Sequence, residues 1–111
     1  MKDDKVYLQH IIDNCDFIFR HTQKDRVRFL NDELVRDAVL RNLQTLAESS
    51  TRLSHTIKQA NPQINWRDIS GFRNVLAHDY LGLDLNIIWD VVEQDLPTLH
   101  QTAKTLLSEI S

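Results

Sequence analysis

Only two glycines and two prolines interrupt 111 residues, and this scarcity of chain breakers limits the fold more than any other feature. Folds of many short strands need turn residues at frequent intervals, whereas a chain this poor in them suits long helices. The apolar residues are spaced to match. Leu8, Ile11, Ile12, Cys15, Ile18 and Phe19 fall at i, i+3, i+4, i+7, i+10 and i+11, the stripe of an amphipathic helix over about 4–24. Cys15 lies within that stripe and reads as a small buried hydrophobe rather than a reactive thiol.

A polar connector holding Phe29 precedes a longer pattern of Val35, Val39, Leu43, Leu46, Leu53 and Ile57. Asn31 or Asp32 is placed to cap this second helix, which is expected to reach Lys58 or Gln59. Its middle carries Glu48, Ser49, Ser50 and Arg52 where core is expected. That composition fits a polar cleft, a partner surface or a solvated face. After Pro62, Asn65 opens WRDISGFRNVLAH with Asp68 three residues on, a variant of the capping box. Ile69, Phe72 and Leu76 mark the buried face of this third helix. Gly71 is expected to permit close approach of another backbone, and Gly82 to suit the residue after a helix end. Asp84 is placed to cap a last helix whose apolar phase continues across Pro97 to Ile110, which predicts one kinked helix. The expected architecture is all-α, a four-to-five-helix up-down bundle formed by one domain over residues 1–111.

The length and the 41% hydrophobic, 26% charged composition fit one globular core burying roughly two-thirds of the unfolded chain's surface. A net charge of −3 gives no overall field to attract nucleic acid, so any such contact needs a local patch. One cysteine excludes an internal disulfide, and neither a leader pattern nor an apolar run of membrane length occurs. A cytoplasmic protein is the expectation. His10, His21, His55 and His100 are scattered without partners at metal-ligand spacing, so no metal and no cofactor are expected.

The stretch GFRNVLAHDYLG places Arg73, His78 and Tyr80 close together. On a regular helix His78 lies about 140° around the axis from Arg73, while Tyr80 returns to within about 20° of it. Arg73 and His78 therefore converge only if the helix ends or distorts near His78, if the guanidinium arm wraps back, or if a second copy of the chain completes the site. The residue types suit RNA cleavage without a metal. A histidine titrates near neutrality and serves as general base or acid, while a guanidinium holds a phosphate as charge grows on its oxygens. Asn74 adds a neutral donor or acceptor. Attack by a ribose 2′-hydroxyl calls for both a base and an acid, and two chains meeting at the motif supply two histidines. The spacing equally fits a structural role: Arg73 paired with Asp68 or Asp79, His78 favoured by the helix C-terminus, and Tyr80 covering the core edge.

Arg73, His78 and Tyr80 match the R-x4-H-x-Y signature of HEPN domains, and the chain resembles their HepT-like branch. The resemblance extends to VRDAVLRNLQTLAESSTRLS, INWRDISGFRNVLAHDYLGLD and IIWDVVEQDLPTL, which together cover most of the chain. It implies an all-α bundle that dimerises with two motifs facing one cleft and acts as a metal-independent ribonuclease toxin on RNA. It further implies a nucleotidyltransferase antitoxin that silences the toxin by adding AMP to the motif tyrosine, Tyr80. Carried over by residue, Arg73 and His78 are catalytic and Asn74 is their polar neighbour. Relatives carry a Gly-Glu-Ala trio on the second helix where this chain has Ala47, Glu48 and Ser49, so Glu48 is kept as a supporting residue and its neighbours differ. Two rival readings are a non-catalytic helical module that presents Tyr80 to a nucleotidyltransferase, and a nucleotide-sensing domain in which Arg73 binds a phosphate without chemistry at His78.

Overall fold

The computed structural model describes residues 4–78 and 84–110, with side chains described up to Arg73 and again from Asp84. The first helix, α1 (Asp4–Thr22), buries Leu8, Ile11, Ile12, Cys15 and Ile18, as the stripe predicts, with Phe19 packed at the core's edge. It stops two residues short of Lys24 because Gln23 and Lys24 adopt φ of 52° and 59°, left-handed angles that a right-handed helix cannot continue. Cys15 is fully buried. Burial, and then the Asp16 carboxylate beside it, push its thiol pKa far up, so it behaves as an inert core residue.

The segment read as a connector is a short helix, α2 (Arg26–Asn31). Asp25 starts it by accepting from the Val27 and Arg28 amides. Phe29 anchors it, fully buried, with its ring 5.3 Å from that of Trp89, a pairing that adds about 0.5–1.5 kcal/mol beyond its area burial.

The long helix α3 (Glu33–Arg52) begins at Asp32, whose carboxylate accepts from the Leu34 and Val35 amides. A cap of this kind contributes about 1 kcal/mol. The helix ends at Arg52, short of the expected Lys58 or Gln59. Leu53 turns extended, with φ −64° and ψ 148°, while keeping its side chain in the core. Ser54 then caps a separate helix, α4 (His55–Ala60), by accepting from the Ile57 amide. The break is held from afar: the Ser54 N–H donates to the Asp4 carboxylate at 2.9 Å.

Asn65 opens α5 (Trp66–His78) as the capping box requires. Its side-chain oxygen accepts from the Asp68 amide at 3.1 Å, and its amide group donates to the Asp68 carboxylate at 2.8 Å. Ile69 and Phe72 face the core; the side chain of Leu76 and the whole of Gly82 lie outside the described residues. The expectation for Gly71 is corrected. A Cβ added there meets no described atom within 4 Å, so among the described residues no other backbone approaches it.

Asp84 caps α6 (Leu85–Gln94) through the Asn86 and Ile87 amides, and α7 (Leu96–Ile110) follows after one residue. The single kinked helix expected here is interrupted at Asp95, which keeps right-handed angles of −97° and −34°. Its N–H donates to the Val91 carbonyl and its carbonyl accepts from Leu99, at 2.8 and 3.1 Å. Pro97, having no N–H, leaves the ladder open between these bonds. Burial, and then the Asp68 carboxylate, raise the pKa of Asp95.

The helices pack up and down around a core in which Trp89, Phe29, Leu8, Ile11, Leu43 and Leu96 are almost wholly enclosed. Helix α3 packs against both α1 and α5, and α7 lies on the other side of α1. Asn14 donates to Asn42, and the Ser49 hydroxyl meets His10 farther back along α1, so α1 and α3 are antiparallel. Ser70 of α5 meets Ser50 at 3.4 Å. Because α3 ends only two residues past Ser50, α5 packs along it by running back towards its start. No helix among the described residues is long and apolar enough to cross a membrane.

Candidate active site

The candidate site residues Arg73, Asn74 and His78 belong to α5, and the local chemistry explains why a helix forms here. Asn65 satisfies an end amide, Asp68 in the first turn complements the positive end of the helix, and Ile69 with Phe72 bury one face against α3. Arg73 follows Phe72 directly and is therefore turned outward; it is exposed. Among the described residues it forms no ion pair with Asp68, whose carboxylate is engaged by Asn65. Asp79, the other candidate partner, lies outside the described residues.

The backbone remains helical from Arg73 through Asn74 to His78, the last residue of α5. Five residues of helix separate Arg73 from His78 by about 7.5 Å along the axis and about 140° around it. Distortion of the helix before His78 is thereby removed from the routes to convergence. What remains is the reach of the guanidinium arm, the helix end itself, or a second copy. The side chains of Asn74 and His78, and all of Tyr80, lie outside the described residues.

Glu48 sits on α3 with a half-exposed side chain. Its carboxylate accepts from Arg52, one turn on, at 3.2 Å from Nε and 3.1 Å from the second guanidinium nitrogen. Glu48 first, and Tyr7 after it, raise the Arg52 pKa. The described contacts thus join Glu48 to Arg52 rather than to Arg73. The two serines that follow are buried. Ser49 meets His10 of α1 at 3.5 Å, and Ser50 donates to the Ala47 carbonyl and meets Ser70 of α5. Small residues at Ala47, Ser49 and Ser50 let α1 and α5 approach α3 from two sides, so this polar stretch is partly core and partly an ion-paired surface.

Some polar arrangements escaped the sequence reading. His100 lies 2.7 Å from the Asp16 carboxylate across 84 positions, a pairing without any local signal. Phe17, Arg20 and His21 cluster at the end of α1; their i, i+3, i+4 spacing is the signal that marks them. Among the described residues no three His, Cys, Asp or Glu side chains converge as metal ligands.

The family model described as ribonuclease HepT-like matches residues 11–106 of the chain. A protein of Thermococcus cleftensis, named as a candidate ribonuclease HepT, is 31% identical over 88% of this chain and 90% of its own length. A candidate RNase of Caldanaerobacter subterraneus subsp. tengcongensis is 27% identical over 98% of both chains. Another, from Methanocaldococcus jannaschii, is 29% identical over 88% of this chain and 91% of its own. No solved structure is significantly similar.

Proposed function

The chain belongs to the HepT-like ribonuclease family, and from that premise we propose that it is a metal-independent endoribonuclease toxin whose reaction centre is Arg73 and His78. The observation that carries this reading is the family match over residues 11–106, within which R-x4-H-x-Y stands intact and Arg73 projects from α5 without a carboxylate partner among the described residues.

In the proposed reaction a histidine takes the proton of a ribose 2′-hydroxyl, and the oxygen attacks the adjacent phosphorus. The bond from phosphorus to the 5′-oxygen breaks, and a second acid protonates the leaving oxygen. The products are a 2′,3′-cyclic phosphate and a 5′-hydroxyl. Arg73 stabilises the phosphoryl oxygens as charge accumulates, through two forked donors that a point charge does not supply. Asn74, the next residue on α5, adds a polar contact, and Glu48 on α3 is the supporting residue that the family resemblance implies.

One motif histidine per chain and a requirement for both base and acid lead to a homodimer with two motifs in one cleft. Among the described residues nothing lies within 4 Å of a Cβ added at Gly71, on the helix that carries Arg73, which is compatible with approach by a second copy. The remaining partner is a nucleotidyltransferase antitoxin that modifies Tyr80. Two measurements test the proposal. Sedimentation at micromolar concentration is expected to show a dimer, and expression without the antitoxin is expected to arrest growth unless His78 is replaced. A fully active 13.0 kDa monomer would remove the shared cleft, and arrest undiminished by His78→Ala would remove the catalytic role.

A further inference from the structure

Between the end of α1 and the junction of α6 with α7 lies a cavity of about 120 Å³. Thr22, Trp89 and Val92, all buried, form its floor, and the half-buried Phe19 ring forms a wall. Lys24, Glu93 and Pro97, all exposed, stand at its rim. Apolar cavities of about 150 Å³ take up a benzene molecule, so there is room here for one compact apolar side chain.

The rim holds groups that the fold leaves unused. Gln23 and Lys24 both have left-handed backbone angles, φ 52° and 59°, which residues other than glycine adopt only at a cost. The Lys24 N–H donates to the Thr22 hydroxyl at 3.3 Å, and the turn carries the Lys24 ammonium back over the Phe19 ring, 5.8 Å from its centroid. Backbone strain of this kind clusters where a residue is held ready for a ligand. On α6, Glu93 has two acceptors without a donor among the described residues. Its carboxylate forms no salt bridge. Its carbonyl is the one that the N–H four residues on would meet in a continuous helix, but that residue is Pro97, which has no N–H, and no other backbone donor reaches it. Both acceptors belong to the C-terminal turn of α6, the end of a helix that favours a cation.

The charges at the rim decide the class of guest. Asp25 caps α2 and Asp16 meets His100, and neither lines the cavity. Among the described residues the lining thus carries one cationic and one anionic side chain, Lys24 and Glu93, with no ion pair at either. An anion meets Lys24 and is opposed by Glu93, and a cation meets the reverse. A wholly apolar guest leaves both charges unanswered. A zwitterion with an apolar body satisfies both.

We propose that this cavity binds a free α-amino acid with a branched aliphatic side chain, of which leucine has the size that fits. The side chain lies against Phe19, Trp89 and Val92, the ammonium is held by the carboxylate and carbonyl of Glu93, and the carboxylate is held by Lys24. The site goes beyond the ribonuclease reading and does not depend on it, since Arg73 is not among the residues that line the cavity.

The test is an NMR titration of the isotope-labelled protein with L-leucine. The chain has two tryptophans. Trp89 floors the cavity, whereas the Trp66 indole is bonded to the Asn61 carbonyl elsewhere. The Trp89 indole and Lys24 amide signals are expected to shift saturably while the Trp66 indole signal stays in place. Three further probes separate the parts of the guest: glycine keeps the head group without the side chain, isoamylamine lacks the carboxylate of leucine, and isocaproate lacks its amine. Each is expected to bind at least about tenfold more weakly, glycine through lost apolar burial and the other two through a lost charge-assisted hydrogen bond. Glu93→Gln and Lys24→Gln are each expected to weaken leucine binding about tenfold with the helical content of the protein unchanged, since both positions are exposed and Gln23 already adopts the backbone angles of Lys24. No saturable shift of the Trp89 signal up to the solubility limit of leucine would overturn the proposal. So would unchanged leucine affinity in both variants, or equal binding of leucine and either singly charged probe.

Discussion

Replacing His78 by alanine is expected to lower RNA cleavage roughly 10²- to 10⁴-fold, the usual cost of losing a general acid or base, with the helical content of the protein unchanged. The structural part of this expectation follows from position. His78 is the last described residue of α5, and alanine, the best helix former, does not disfavour the helix there. Arg73→Ala is expected to cost about 10²- to 10³-fold, the range for one charge-stabilising donor. Arg73 is exposed, so its truncation alters stability by no more than about 0.5 kcal/mol. Arg73→Lys is expected to recover little, because an ammonium lacks the paired donors that match two phosphoryl oxygens. Kinetics are measured beside circular dichroism and a melting curve. A variant that loses activity and melts together would identify the residue as structural, and a variant of full activity would remove it from the reaction.

The second large effect concerns Tyr80. AMP attached to its phenol is expected to silence cleavage completely while leaving the helices and the dimer intact. Seven residues of helix from Arg73 bring Tyr80 round to nearly the same side, should the helical phase continue. The adduct's phosphate would then compete for the guanidinium proposed to hold the substrate phosphate, and its adenosine would fill the cleft. Both effects oppose RNA binding without any unfolding. Tyr80→Phe is expected to escape modification and to keep arresting growth when the nucleotidyltransferase is present. Mass spectrometry of the co-expressed protein locates the adduct. An adduct on another residue, or silencing without an adduct, would move the regulation to complex formation.

Much of the fold was legible because its determinants are local. The stripe Leu8, Ile11, Ile12, Cys15 and Ile18 is buried as its spacing requires, and Asp32, Asn65 and Asp84 cap the helices they precede. The misread boundaries depend on contacts that spacing does not encode. Apolar phase runs straight through Leu53 and Ile57, yet the backbone breaks there because Ser54 is held by Asp4, fifty positions earlier. Helix α2 is too short to display a period and is fixed by Phe29 against Trp89. At the candidate site, the outward turn of Arg73 follows from Phe72 facing the core, and the Glu48–Arg52 pair follows from i, i+4 spacing. The link from His100 to Asp16 does not, because it joins α7 to α1 across the bundle.

The claim that Arg73 and His78 cleave RNA without a metal is tested most directly by incubating the purified protein with end-labelled single-stranded RNA in excess EDTA and identifying the product termini. The account predicts undiminished cleavage by the wild type, ends carrying 2′,3′-cyclic phosphate and 5′-hydroxyl, and loss of these products with His78→Ala. Activity abolished by EDTA and restored by Mg²⁺, with linear phosphate ends, would contradict it.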